Sequence, residues 1–177
     1  ANDPWTGVSI SGPSPRPWQM VYPAKARDVI WMSEGDALVR LETGSGRTDS
    51  FHLQTTVEKM VEDNSGNFWV FCNSQQRKRL LRFEGGVFRE IKTDFQVDRM
   101  YGFDLQNRLM LDSGGDFLRL PTGHAPETLY ARDVDLRLPQ VTGTRTVTDR
   151  SGVVWLSTLG YGLFKLSPQT GRFRTVF

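Results

Sequence analysis

The residues Asp63-Asn64-Ser65-Gly66-Asn67-Phe68-Trp69-Val70 recur as Asp149-Arg150-Ser151-Gly152-Val153-Val154-Trp155-Leu156, with Asp, Ser, Gly and Trp at identical spacing and an aliphatic residue next. A reduced copy runs from Asp104 to Leu111, with Asn107 in the glycine place and Met110 in the tryptophan place. A fourth, Val29-Ile30-Trp31-Met32, lacks the acidic turn. Trp31, Trp69, Met110 and Trp155 therefore stand 38, 41 and 45 residues apart. A period of about 40 residues marks a propeller or a solenoid, in which each supersecondary unit buries its apolar face only against a neighbour. The match runs past the anchors: Leu38 and Leu41 lie seven and ten residues after Trp31, as Phe117 and Leu120 do after Met110. Leu163 and Leu166 follow Trp155 one residue late, and Leu80 and Phe83 follow Trp69 four residues late, which places insertions in the intervening loops.

Within a unit the apolar residues alternate with period two, as at Leu81 and Phe83, in short segments bounded by Gly, Pro, Asn and Asp. That is the pattern of strands, and no eleven-residue stretch carries a helical stripe. The second unit predicts strands over Val57 to Glu62, Phe68 to Cys72, Leu80 to Phe83 and Val87 to Ile91. The expected fold is all-β: a β-propeller of four blades, each of four strands and roughly 40 residues, forming part of a larger ring. Residues 1–20 read as an N-terminal strand, with Val8 and Ile10, and a Pro-rich spacer. Residues 21–177 form the repeat domain, in units of about 21–53, 54–92, 93–131 and 132–177. The N-terminal strand either belongs to a preceding blade or closes a small ring against residues 172–177.

An Asp side chain accepts hydrogen bonds from backbone two residues on, and glycine supplies positive φ, so Asp-x-Ser-Gly is a turn that fixes the register of the strand after it. The tryptophan then lies on an inner strand with its apolar face between sheets. Trp31, Asp63, Gly66, Trp69, Met110, Asp149, Gly152 and Trp155 are read as structural repeat anchors. A calcium loop at 63–67 is disfavoured because the segment has too few carboxylates for an oxygen cage.

The charge balance, 22 Lys+Arg against 20 Asp+Glu, gives a formal net charge of +2. The one basic cluster is followed by Glu84 and Glu90, so no nucleic-acid partner is expected. The single Cys72 excludes a disulfide within the chain and multi-cysteine zinc sites, and no apolar run reaches the roughly 20 residues of a membrane helix. No metal and no cofactor is implied.

The segments from Val61 to Val70 and from Thr148 to Leu166 resemble two-component regulator propeller repeats. These run approximately as an acidic turn with Asp-x-x-Gly, Trp with an aliphatic residue, Gly or Ser followed by Thr, Gly-Leu and a turn before a Phe. The fourth unit matches almost throughout, the second at the turn and tryptophan, and the first and third only in their hydrophobic frame; residues 1–20 do not match. The resemblance implies a periplasmic, non-catalytic sensor domain of a bacterial hybrid histidine kinase or related signal-transduction protein. Its expected partners are a small-molecule ligand such as a carbohydrate and other propeller blades or protomers. The membrane is reached only through segments other than these repeats.

Blade topology puts the loops between second and third strands on the same face as the connectors between blades, here Gln54 to Thr56, Thr93 to Asp98 and Asp135 to Val141. The insertion Asn73 to Arg79 emerges there, which makes Gln75, Gln76, Arg77, Lys78 and Arg79 the expected ligand-binding residues. Two other functions compete: a protein-interaction propeller without a small ligand, and a propeller lyase using His124. Cys72, on a predicted inner strand, reads as a small buried hydrophobe rather than a nucleophile.

Overall fold

A computed structural model describes residues 19–24, 28–73, 78–121, 127–130, 143–158, 162–166 and 173–175. Among these residues there is no helix. The strands form four antiparallel sheets, each a meander in chain order. The first contains β1 (Met20–Pro23), β2 (Val29–Glu34), β3 (Ala37–Glu42) and β4 (Thr48–His52). The second contains β5 (Val57–Glu62), β6 (Phe68–Asn73), β7 (Lys78–Glu84) and β8 (Val87–Glu90). The third contains β9 (Arg99–Phe103), β10 (Leu109–Ser113), β11 (Asp116–Leu120) and β12 (Glu127–Tyr130). The fourth contains β13 (Gly143–Thr148), β14 (Val154–Thr158), β15 (Gly162–Leu166) and β16 (Phe173–Thr175). Val8, Ile10, residues 74–77, His124 and the connector Asp135 to Val141 lie outside the described residues.

Each anchor falls on the second strand of its sheet: Trp31 on β2, Trp69 on β6, Met110 on β10 and Trp155 on β14. They are equivalent in register, and their cross-strand partners are alike as well. The residue directly across on the third strand is Arg40, Arg82, Arg119 or Lys165, a cation in every sheet. The aligned leucines and phenylalanine also fall together, since Leu38, Leu80, Phe117 and Leu163 each pair with the residue two after the anchor.

The chain divides after Val57 into two compact units. In the first, Met32, Val39 and Leu41 form a buried cluster on one face of the sheet, and Trp31 on the other face meets Phe51 at 6.0 Å. In the second unit two layers of apolar side chains lie between successive sheets. Trp69, Phe71 and Leu80 pack on Met100, Leu109, Leu111 and Leu118, whereas Tyr101, Met110 and Phe117 pack on Val154, Leu156 and Phe164. Alternation drives this division, because Leu109 and Leu111 point to one side of β10 and Met110 to the other. First strands also touch: Thr146 Oγ1 on β13 donates to the Tyr101 carbonyl of β9 at 3.2 Å.

One sequence expectation needs correction. The hairpin between the second and third strands of the second sheet is not a loop from Asn73 to Arg79, because β6 runs through Asn73 and β7 begins at Lys78, with Asn73 opposite Lys78 and Cys72 opposite Arg79. The basic run hid this, since polarity suggested solvent whereas pairing needs only alternate residues to face outward. Lys78 instead pairs with Asp98 and Arg79 with Glu90, at 2.5 and 3.0 Å.

Candidate functional site

The acidic turns give the site its frame. Asp63 Oδ1 accepts from the backbone N–H of Ser65 at 2.8 Å and of Asn67 at 2.9 Å, and Gly66 closes the turn at φ +84°. Asp149 repeats this with Ser151 and Val153 at 2.9 and 3.1 Å, and Gly152 again has φ +84°. Asp104 repeats it with Gln106 and Arg108 at 3.0 and 2.9 Å, and Asn107 holds φ +60°, a conformation Asn tolerates better than most residues. The expectation that Asn107 replaces the glycine holds.

The second carboxylate oxygen explains why the anchor is a tryptophan. Trp69 Nε1 donates to Asp63 Oδ2 at 3.1 Å, and Trp155 Nε1 to Asp149 Oδ2 at 3.0 Å. Burying an indole requires a partner for its N–H, and the turn six residues upstream supplies one. Burial pushes the Asp63 carboxyl up, but donors from Asn67, Trp69 and Ser65 outweigh it and hold the group below its ordinary value. Donors from Ser151 and Trp155 bring Asp149 down to about 2. Hydrogen bonds that exist only with the charged form favour that form. Four N–H donors fill both Asp63 oxygens, which gives a second reason against calcium there.

With the carboxylate satisfied by the indole, the cation across from Trp69 has no place on it. Arg82 lies over the Trp69 ring instead, 5.3 Å from its centroid, as Lys165 lies over Trp155 at 5.5 Å. Beside this stack, between the second and third sheets, is a half-open groove of about 320 Å³. Its apolar wall includes Trp69, Ile91, Phe103, Leu109 and Leu120, and its polar rim is Asp63, Ser65, Asn67, Asn107 and Arg82. Phe103 meets Trp69 at 5.4 Å and 57°. The two turns clasp across one end: Asn64 N–H donates to Asn107 Oδ1 at 2.7 Å, and Asn64 Nδ2 to the Asp104 carbonyl at 3.0 Å. An occupant would touch both sheets at the point where their turns interlock.

Of the residues expected to bind ligand, Gln75, Gln76 and Arg77 lie outside the described residues, and Lys78 and Arg79 are on β7 in the ion pairs given above. Asp98 also accepts from the Gly114 N–H at 2.6 Å, so this connector does share a face with two successive hairpins, as blade topology requires. The groove is hard to see in the sequence because its lining comes from two repeats, in which Asp63, Trp69, Asn107 and Leu120 read as structural positions of the repeat. The signal available was the recurring cation across from each anchor. Cys72 is fully buried, and His52 is on the edge strand β4. Among the described residues, the groove lining includes no histidine or cysteine.

These sheets are blades of a β-propeller, and the chain belongs to that all-β class. No protein-family model matches the chain, and no curated protein matches it in sequence. Solved structures resemble it in fold. The extracellular domain of a hybrid two-component system protein from B. thetaiotaomicron superposes with a TM-score of 0.62 at 14% identity, over 85% of this chain and 21% of that one. A luciferin-regenerating enzyme gives 0.65 at 11% identity, over 88% and 62%. YCF48 bound to D1 peptide gives 0.59 at 14%, over 85% and 50%. The chain thus spans about a fifth of that extracellular domain and half or somewhat more of the other two. Identities this low carry the fold alone, and the three proteins differ in what they do.

Proposed function

We propose that this chain is a non-catalytic, ligand-sensing propeller region of a bacterial signal-transduction protein, acting in the periplasm, with a small molecule such as a saccharide as its ligand. The observation that carries the reading is the groove between the second and third sheets, where an occupant bridges two blades. A ligand there that binds one relative placement of the sheets better than another shifts their equilibrium, which is the physical requirement for reporting occupancy. The fold likeness to extracellular domains of hybrid two-component systems supports the reading, and so does the resemblance of the repeats. Asp98 and Glu90 hold Lys78 and Arg79, so within this reading those two residues brace the hairpin, and Gln75 to Arg77 are the part of the insertion left to meet a partner.

The test is a nuclear magnetic resonance titration of the labelled chain with a panel of mono- and oligosaccharides, following the Trp69 indole N–H. The expected result is a saturable shift of that resonance together with backbone resonances of Asn107 and Leu120. Saturable shifts confined to other sheets, or substrate turnover in the same samples, would sink the reading.

A further inference from the structure

The groove carries an electrostatic asymmetry that selects among small molecules. Arg82 Nη2 and Arg89 both pair with Glu84, Arg89 Nε at 3.7 Å, so two cations share one carboxylate. Arg82 Nε is buried with no hydrogen-bond partner among the described residues. Among the described residues the carboxylate in the lining is Asp63, and it is already saturated by four donors. The rim amides are engaged as well: Asn67 Nδ2 donates to Asp63 at 2.8 Å, and Asn107 Nδ2 to Ser65 Oγ at 3.3 Å. A neutral polyol therefore finds each rim amide with one N–H already spent, whereas an anion finds a guanidinium that is only partly neutralised. A guanidinium presents its N–H groups as a rigid fork that matches a carboxylate. The apolar wall of Ile91, Phe103, Leu109 and Leu120 suits a flat or weakly polar ring face.

We propose that the groove binds a compact ring bearing a carboxylate, with the ring against Phe103, Leu109 and Leu120 and the carboxylate on Arg82. The inference rests on the reading of the groove as a ligand site and adds the charge of its ligand. Both acidic sugars and aryl acids have this chemistry, and the probes separate them.

Isothermal titration calorimetry of the chain with sodium glucuronate, sodium benzoate and glucose provides the test. At least one carboxylate should bind, with glucose about tenfold weaker or worse, the scale of a hydrogen bond to a charged group. Arg82→Gln should abolish that preference. Arg82→Lys, which keeps the charge but not the fork, should retain part of it and guards against a folding defect in the first variant. Leu120→Trp, which fills the groove, should remove binding. Binding of glucuronate alone assigns an acidic sugar, and binding of benzoate alone an aryl acid; either supports the proposal. Glucose binding that equals glucuronate binding, ignores Arg82→Gln and is lost in Leu120→Trp would leave the groove as a site and overturn the carboxylate. Carboxylate binding that survives Leu120→Trp, or no binding of any probe at millimolar concentration, would overturn the proposal.

Discussion

In the second sheet the carboxylate of Asp63 is capped by the indole of Trp69, and Arg82 rests on the outer face of that indole. In the third sheet Met110 has no N–H to offer, and the equivalent cation turns inward: Arg119 Nε stands 3.3 Å from Asp104 Oδ2, an ion pair not aligned as a hydrogen bond, while Arg108 Nε donates to the same oxygen at 2.8 Å. Asp104 and Arg119 are accordingly 3% and 5% exposed, and the cation is part of the core. One backbone turn thus has two ways to satisfy its buried acid, and the choice of anchor decides where the cation goes. A tryptophan frees a guanidinium for the rim of a groove, whereas a methionine consumes it. The fourth sheet has the tryptophan solution with less burial among the described residues: Trp155 is half-buried, and Val147, across from it on β13, is 65% exposed.

The largest expected effect separates the two tryptophans, which the sequence presents as equals. Trp69→Ala removes a side chain 8% exposed and packed on Phe103, and should cost about 3–5 kcal/mol in denaturant melts. Trp155→Ala should cost less than half as much, since that side chain is only half-buried. Equal losses would show that the turn hydrogen bond, common to both, outweighs packing.

The next effect tests the two neutralisation schemes. Asp104→Asn leaves the buried Arg119 short of a countercharge and should cost about 3 kcal/mol, the lower end for breaking a buried pair. A double-mutant cycle should give an Asp104–Arg119 coupling of more than about 1 kcal/mol and an Asp63–Arg82 coupling of less than about 0.5 kcal/mol. Matching couplings would mean that the cation serves the same role in both sheets.

The period, the four-strand unit and the place of each anchor were legible because they rest on local chemistry. Asp-x-Ser-Gly sets a turn, the alternation of Leu109, Met110 and Leu111 sets two faces, and a loop insertion leaves the register of Leu80 and Leu163 intact. What was not legible depends on partners far apart in sequence. Nothing near Lys78 in the chain announces Asp98, 20 residues on, and so the start of β7 reads as a loop in the sequence alone. The groove combines residues from Asp63 to Pro121, and its character follows from which donor reaches the Asp63 carboxylate, a question of geometry rather than of composition. The row of Arg40, Arg82, Arg119 and Lys165 was visible as sequence, but its meaning appears only when each is placed opposite its anchor.

The smallest effect concerns the position two residues past the anchor, where the second sheet has Phe71 and the third has Asp112. Phe71 is fully buried among apolar side chains and needs no compensation. Asp112 occupies the same place as an acid: burial pushes its carboxyl up, the charge of Asp98 adds to this, and the Gly115 N–H and the Tyr101 hydroxyl only partly offset it. A folded value above the ordinary 3.8 means that the native state holds the proton more tightly than the unfolded chain. Stability contributed by protonated Asp112 is therefore present at low pH and lost as pH rises through its folded value. Asp63 and Asp149, whose carboxyls are held low, act in the opposite sense, and their contribution is lost as pH falls below 3.8, for Asp149 towards about 2. Asp112→Asn should remove the first dependence and leave the second, raising stability at pH 7 by about 0.5 kcal/mol, the size of a mild single substitution. Urea melts from pH 7 to pH 3 should then show the wild type and the variant converging as Asp112 takes up its proton. A variant less stable than the wild type at pH 7 would show that the hydrogen bonds of Asp112 outweigh its burial, and that the acid is as well accommodated in the third sheet as Phe71 is in the second.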